Sequence, residues 1–194
     1  MKTESTFKYI LRLTATLLAI CAVVALALAG VNAITKDKIA ANKAAKTAAA
    51  LEKVLPGLVE AKEIPFTDAS GLVTKVYKSD LSLSSNSNAA FGYAVEVAPN
   101  GFGGAITMMV GISAEGEVLG ISIISHAETP GLGAVAAQDT DKGVSFRDQF
   151  VGLISGITIG DGDNQIEALS GATISSQAIV DGVNAALECV KNLG

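Results

Sequence analysis

The chain has 194 residues, enough for one ordinary domain plus an appendage, and its 14 Lys and Arg against 19 Asp and Glu give a net charge of −5. Three of the basic side chains, Lys2, Lys8 and Arg12, precede the first apolar run, so the remainder is more acidic still and leaves no basic stripe for nucleic acid. With two cysteines and a single histidine, thiolate-rich and histidine-rich metal sites are excluded, and any redox chemistry must come from a bound cofactor.

Leu13 to Ile34 contains no charged residue, and a run of about 22 such residues is long enough to cross a bilayer as a helix. It ends in Ala27-Leu28-Ala29 and Val31-Asn32-Ala33, small-residue patterns that a signal peptidase accepts, yet it exceeds the roughly 7–15 residues of a signal h-region. A retained anchor is therefore expected, with residues 1–12 as a cytoplasmic tail, 13–34 as the transmembrane helix and the body outside the cytoplasm. Lys36, Lys38, Lys43 and Lys46 follow the span and offset the basic tail, so the positive-inside count does not decide orientation; a basic tail before one apolar span is the common arrangement for export. Cys21 lies inside the span behind the bulky Ile20, a poor lipobox, and its pairing with Cys189 is implausible.

Residues 35–57 form a linker in which Thr35 to Leu55, rich in Ala and Lys, reads as a helix stopped by Pro56-Gly57, its lysines on a solvated face. Residues 58–194 form the domain. Leu72, Val73, Val76 and Tyr77 begin a strand, and the Ser/Asn-rich Leu81 to Ala90 reads as a loop. Phe91–Ala98, Ala105–Ser113 and Val118–Ser125, rich in β-branched, aromatic and Met residues, read as three strands. The short Ala114-Glu115-Gly116-Glu117 link makes the last pair an antiparallel hairpin. Phe146, Phe150 and Leu153 suggest a short amphipathic helix. The fold class is α+β, an antiparallel sheet flanked by helices and preceded by a single N-terminal transmembrane helix.

Two glycine-rich turns flank the strands, Asn100-Gly101-Phe102-Gly103-Gly104 and His126-Ala127-Glu128-Thr129-Pro130-Gly131-Leu132-Gly133. Neither has the form of a phosphate loop, and the Pro130-Gly131 step sets the polar residues before it on an exposed corner. His126 is either a structural histidine or a functional one, and Glu128 is either a partner for its ring N–H or a solvated carboxylate.

In the last segment, Ile179, Val180, Val183, Ala186, Leu187 and Val190 recur at three- and four-residue steps, the spacing of one buried helix face. Ser170-Gly171-Ala172-Thr173-Ile174-Ser175-Ser176 opens that helix and puts Thr173 at or just before its N-terminus. Two readings stand side by side: a plain N-cap, since Ser and Thr are the usual caps, or an anion site, since unpaired N–H groups and the dipole favour negative charge there.

The SGATISS segment matches the flavinylation motif of the FMN-binding domains in membrane-bound electron-transport complexes. His126 through Gly133, HAETPGLG, looks like that family's second signature, and Gly101 to Gly104 resembles a third. Their order behind one N-terminal span is similar to the G subunits of ion-translocating Rnf complexes. NqrC subunits of sodium-pumping quinone reductases share the anchor, the domain and SGAT, but the short chain favours the Rnf type.

The resemblance implies FMN joined through its phosphate to the hydroxyl of Thr173, the bond being made from FAD by a flavin transferase of the ApbE type. Ser170, Gly171, Ala172 and Ser176 would complete the motif, with Ser175 or Ser176 capping the helix or bonding phosphate oxygens. Glu128, Thr129, Pro130, Gly131 and Leu132 would form the wall or rim for the isoalloxazine, with His126 near it. One departure is Glu167, where the family often has Asp. The function implied is an electron carrier in the bacterial inner membrane, its flavin domain extracytoplasmic. It would relay electrons among the other membrane subunits of an Rnf-type complex that moves Na⁺ or H⁺, and would not be a complete enzyme alone. Two readings from other classes compete: an anchored, colourless binding domain whose SGAT is only a cap, and a hydrolase using Ser170 or Ser175 with His126, which lacks the G-x-S-x-G elbow.

Overall fold

A computed structural model of the chain describes residues 3–55, 58–81 and 91–193. The expected helix stop at Pro56-Gly57 and, apart from Leu81, the expected Leu81–Ala90 loop lie outside the described residues. The chain forms two compact units, residues 1–45 and 46–194.

The first unit is helical throughout its described residues, as part of α1, Thr3–Val54. This helix is long and apolar enough to cross a membrane, and Leu13, Leu17, Leu18, Val23, Leu26 and Leu28 are all exposed along it. In an apolar solvent every polar group must find a partner within the helix. The hydroxyls of Thr14 and Thr16 do so, donating to the carbonyls of Ile10 and Arg12 at 3.0 and 2.8 Å, and Thr35 just past the run bonds the Val31 carbonyl in the same way.

In the second unit five antiparallel strands lie in sequence order: β1 Leu58–Glu63, β2 Val73–Leu81, β3 Phe91–Val97, β4 Thr107–Ser113 and β5 Val118–Ser125. The alternation of side chains along a strand sends β3 and β4 residues to two different layers. Tyr93, Val95, Val97, Met108, Val110 and Ile112 enter the main core, while Ala94 and Met109 meet Ala50, Val54 and Leu55 from the end of α1. The main core is closed by α3, Thr173–Lys191, whose buried stripe includes Ile179, Val180, Val183, Ala186 and Val190. The sheet is thus covered on both faces, by α3 on one and by the last turns of α1 on the other.

A 3-10 turn over Gly133–Ala137 and α2, Asp141–Asp148, follow the sheet. Thr140 caps α2 by accepting from the Gly143 N–H, and Asp141 suits the positive end of its dipole. The helix is shorter than its apolar pattern suggests. It ends at Asp148, and Phe150 and Leu153 sit in the turn beyond, where Gly152 takes a φ of 83°. Phe150 is fully buried, edge-on to Phe146 at 5.6 Å between ring centroids, and its burial contributes about 2–3 kcal/mol. Buried Arg147 ties α2 to the segment before it, donating to the carbonyls of Ala136 (2.6 Å) and Gln138 (2.9 Å) and pairing with Asp139 at 2.8 Å. Two-residue strands β6, Thr158–Ile159, and β7, Gln165–Ile166, pair in parallel just before α3.

A cleft at the start of the last helix

The approach to α3 is set by hydrogen bonds made locally. Ala172 N–H closes a turn onto the Leu169 carbonyl at 2.9 Å, with Gly171 at φ 72°, a left-handed position that glycine adopts without strain. Ser176 fastens this turn to the helix: its hydroxyl accepts from Leu169 N–H and donates to the Ala172 carbonyl, both at 3.0 Å. The residue at the N-cap is Ala172, which offers no side-chain cap, and Thr173 is the first residue of α3, exposed. The plain-cap reading of the motif therefore does not hold. Neither serine caps the helix: Ser176 bonds the turn, and Ser175 is buried with its hydroxyl donated to Oε2 of Glu128. An uncapped helix start leaves first-turn N–H groups available to an anion.

Beside this end lies a cleft of about 380 Å³. It is lined by Phe102, Glu128, Thr129, Leu132 and Gly133 from the two glycine-rich turns, and by Gly171, Ala172, Thr173, Ile174 and Ser175 from the helix start. Phe102 (71% exposed), Ile174 (58%) and Leu132 (43%) give it apolar walls. Of the eleven residues singled out from the sequence, Glu128, Thr129, Leu132, Gly171, Ala172 and Thr173 line it. Ser170, Pro130 and Gly131 stand exposed on the adjoining turns, and Ser176 is buried behind them. His126 faces elsewhere, into a second cleft with Lys46, Lys53 and Arg147, and its Nδ1 accepts from the Glu128 N–H at 3.2 Å.

Glu128 corrects both alternatives drawn for it. Its carboxylate is buried at 6% exposure and is not bonded to the His126 ring; it accepts from Gly103 N–H at 2.9 Å and from Ser175. The hydrolase reading loses Ser175, whose hydroxyl bonds Glu128 and not His126. Phe102, Gly133 and Ile174 also line the cleft, and Phe102, a large aromatic inside a glycine-rich turn, carries a signal for this in the sequence. Glu167 is exposed and does not line the cleft, and its backbone is held by the side-chain amide of Gln149.

Residues 101–188, which span both turns and most of α3, match the FMN-binding domain family, and residues 1–54 match the RnfG N-terminal region. The G subunit of the Na⁺-translocating ferredoxin:NAD⁺ oxidoreductase complex of Acetobacterium woodii is 31% identical over 99% of this chain and 97% of its own length. The chain belongs to the RnfG family. The G subunit of the ion-translocating oxidoreductase complex of Methanosarcina acetivorans, another member, is 31% identical over 94% of this chain and 95% of its own. Among solved structures, the C subunit of the Na⁺-translocating NADH-quinone reductase from Parabacteroides distasonis superposes with a TM-score of 0.50 at 17% identity. That match covers 70% of this chain and 78% of the other, so the RnfG-family chain shares the fold of that protein.

Proposed function

We propose that the protein is a single-pass membrane flavoprotein that carries FMN as a phosphoester on Thr173 and relays electrons within an Rnf-type complex coupling electron transfer to Na⁺ or H⁺ movement. The observation that carries this reading is the exposed Thr173 hydroxyl on the first residue of an uncapped helix, at the mouth of a cleft walled by Phe102, Leu132 and Ile174. FMN, when bound, supplies the one- and two-electron exchange that this chain's own side chains lack.

The residues present fit the group in each of its parts. A phosphodiester on Thr173 keeps one negative charge beside the first-turn N–H groups, where the dipole favours it by roughly 0.3–1 kcal/mol, and by up to about 2 kcal/mol if partly buried. The exposed apolar walls would cover the ring system, while Thr129 and the backbone of the 129–133 turn offer polar groups to its edge. Attachment by an ApbE-type transferase uses FAD: the threonine oxygen bonds the FMN phosphorus and AMP leaves. The exposure of Ser170, Gly171 and Thr173 gives such an enzyme access. A covalent link would keep the cofactor in place outside the cytoplasm, the side we assign to the domain.

Full-length chain co-expressed with a flavin transferase, denatured and run on a gel is expected to give a band with flavin fluorescence that Thr173→Ala abolishes. A colourless wild-type protein would instead support a non-redox anchored domain. Fluorescence persisting in Thr173→Ala would overturn the site.

A further inference from the structure

One feature of the cleft is more elaborate than a rim requires. The Glu128 carboxylate is buried, and among the described residues no cation forms an ion pair with it. A buried charge of this kind is tolerated only where hydrogen bonds satisfy its oxygens. Here Oε1 takes the N–H of Gly103 at 2.9 Å and Oε2 takes the hydroxyl of Ser175. Space for the group is made by two further residues: a Cβ at Gly101 would lie 2.5 Å from Oε1, and one at Gly133 would lie 2.6 Å from Oε2. The Phe102 turn, the turn ending at Gly133 and the first turn of α3 therefore converge on one carboxyl group. An apolar side chain could fill that volume but could not join the Gly103 amide to the Ser175 hydroxyl.

We infer that Glu128 is a positioning residue that sets the width of the flavin cleft, tying the turn that bears Phe102 to the helix start that bears Thr173. The inference rests on reading the cleft as the flavin site. It assigns the effect to the two hydrogen bonds and not to the charge. Glutamine can keep both contacts, its oxygen accepting from Gly103 N–H and its amide donating to Ser175 Oγ with the direction of that bond reversed, whereas alanine keeps neither. Displacing a ring wall by a fraction of an ångström is enough to loosen a bound planar group.

The test compares full-length wild type, Glu128→Gln and Glu128→Ala in detergent, each with and without transferase co-expression. In the flavin-free proteins, hydrogen exchange of peptides covering 101–104 and 173–176 is expected to rise about tenfold in Glu128→Ala, the factor that leaving a buried donor without its acceptor is worth, and to stay near wild type in Glu128→Gln. In the flavin-loaded proteins, visible circular dichroism of the flavin is expected to fall severalfold in Glu128→Ala and to be retained in Glu128→Gln. Wild-type exchange and dichroism in Glu128→Ala would overturn the proposal, as would a Glu128→Gln variant as impaired as Glu128→Ala. If Glu128→Ala does not fold, Ser175→Ala removes one of the two ties and is expected to free the 173–176 peptide while 101–104 stays protected; wild-type exchange there overturns the proposal. A wild type that takes up no flavin would sink the proposed function alone, since the exchange arm needs no flavin.

Discussion

The two ends of α3 finish the same helix in opposite ways. At the C-terminus the orphan carbonyls are taken up locally: Asn192 N–H bonds the carbonyls of Glu188 and Cys189 at 3.1 and 3.2 Å, Leu193 N–H bonds that of Val190, and Lys191 suits the negative end of the dipole. At the N-terminus the chain has two serines within the first turn, yet neither caps; Ser176 is spent on the preceding turn and Ser175 on Glu128, and Ala172 stands at the cap. The difference leaves the first-turn N–H groups at the N-terminal end without a side-chain partner, and the proposed phosphodiester on Thr173 would use them.

That contrast can be broken most severely at Gly133, where a Cβ would run into Ser175 and the Glu128 carboxylate. Gly133→Val is expected to destabilise the domain by about 1–3 kcal/mol, as overpacking does, and to abolish flavin attachment, read by thermal unfolding and gel fluorescence. At the other end, Cys189→Ala is expected to cost about 1 kcal/mol by leaving a small void and to leave flavin attachment untouched, so that stability and function separate along one helix. Burial pushes the Cys189 thiol up, helped by the nearby Asp68 carboxylate, so it should stay protonated at neutral pH and resist alkylation until the domain unfolds.

Supplying the missing cap is a subtler change. Ala172→Ser is expected to raise stability by less than about 1 kcal/mol in the flavin-free protein while lowering the attached fraction, because the new hydroxyl competes for the N–H groups. Equal attachment in both proteins would show that the open cap is incidental. The smallest effect is expected at Asp139, which touches neither end. Its hydrogen bond and charge interaction with Lys53, at 2.9 Å, hold its carboxyl below the ordinary value. A depressed folded value means that its contribution is present above the unfolded carboxylate range and is lost as pH falls through the folded value. The difference in melting temperature between wild type and Asp139→Asn should thus be slight at pH 7 and vanish in acid, since the carboxylate is exposed.

Much of this architecture can be read from the chain directly. Strong β-branched runs mark β2 to β5, the Ala114–Glu117 link marks their hairpin, and the apolar period marks α3. β1 is hidden because Leu-Val-Glu-Ala-Lys-Glu carries helix-favouring residues, and its pairing is an irregular edge contact with β2. β6 and β7 are too short to carry a period. For the site, the motif marks Thr173 and Gly171, but the destination of Glu128 depends on Gly103, Ser175 and Gly133 meeting in space from positions 25, 47 and 5 residues away, which no local pattern encodes. His126 illustrates the converse: two residues from Glu128 in sequence, it faces a different cleft.

The most direct measurement is peptide mass spectrometry of the chain purified after co-expression with a flavin transferase. The peptide containing Ser170 to Ser176 is expected to be heavier by one FMN less a water, with fragmentation placing the addition on Thr173. An unmodified peptide in a protein that nonetheless holds flavin, or an addition on Ser170 or Ser175, would contradict the assignment of Thr173 as the tether.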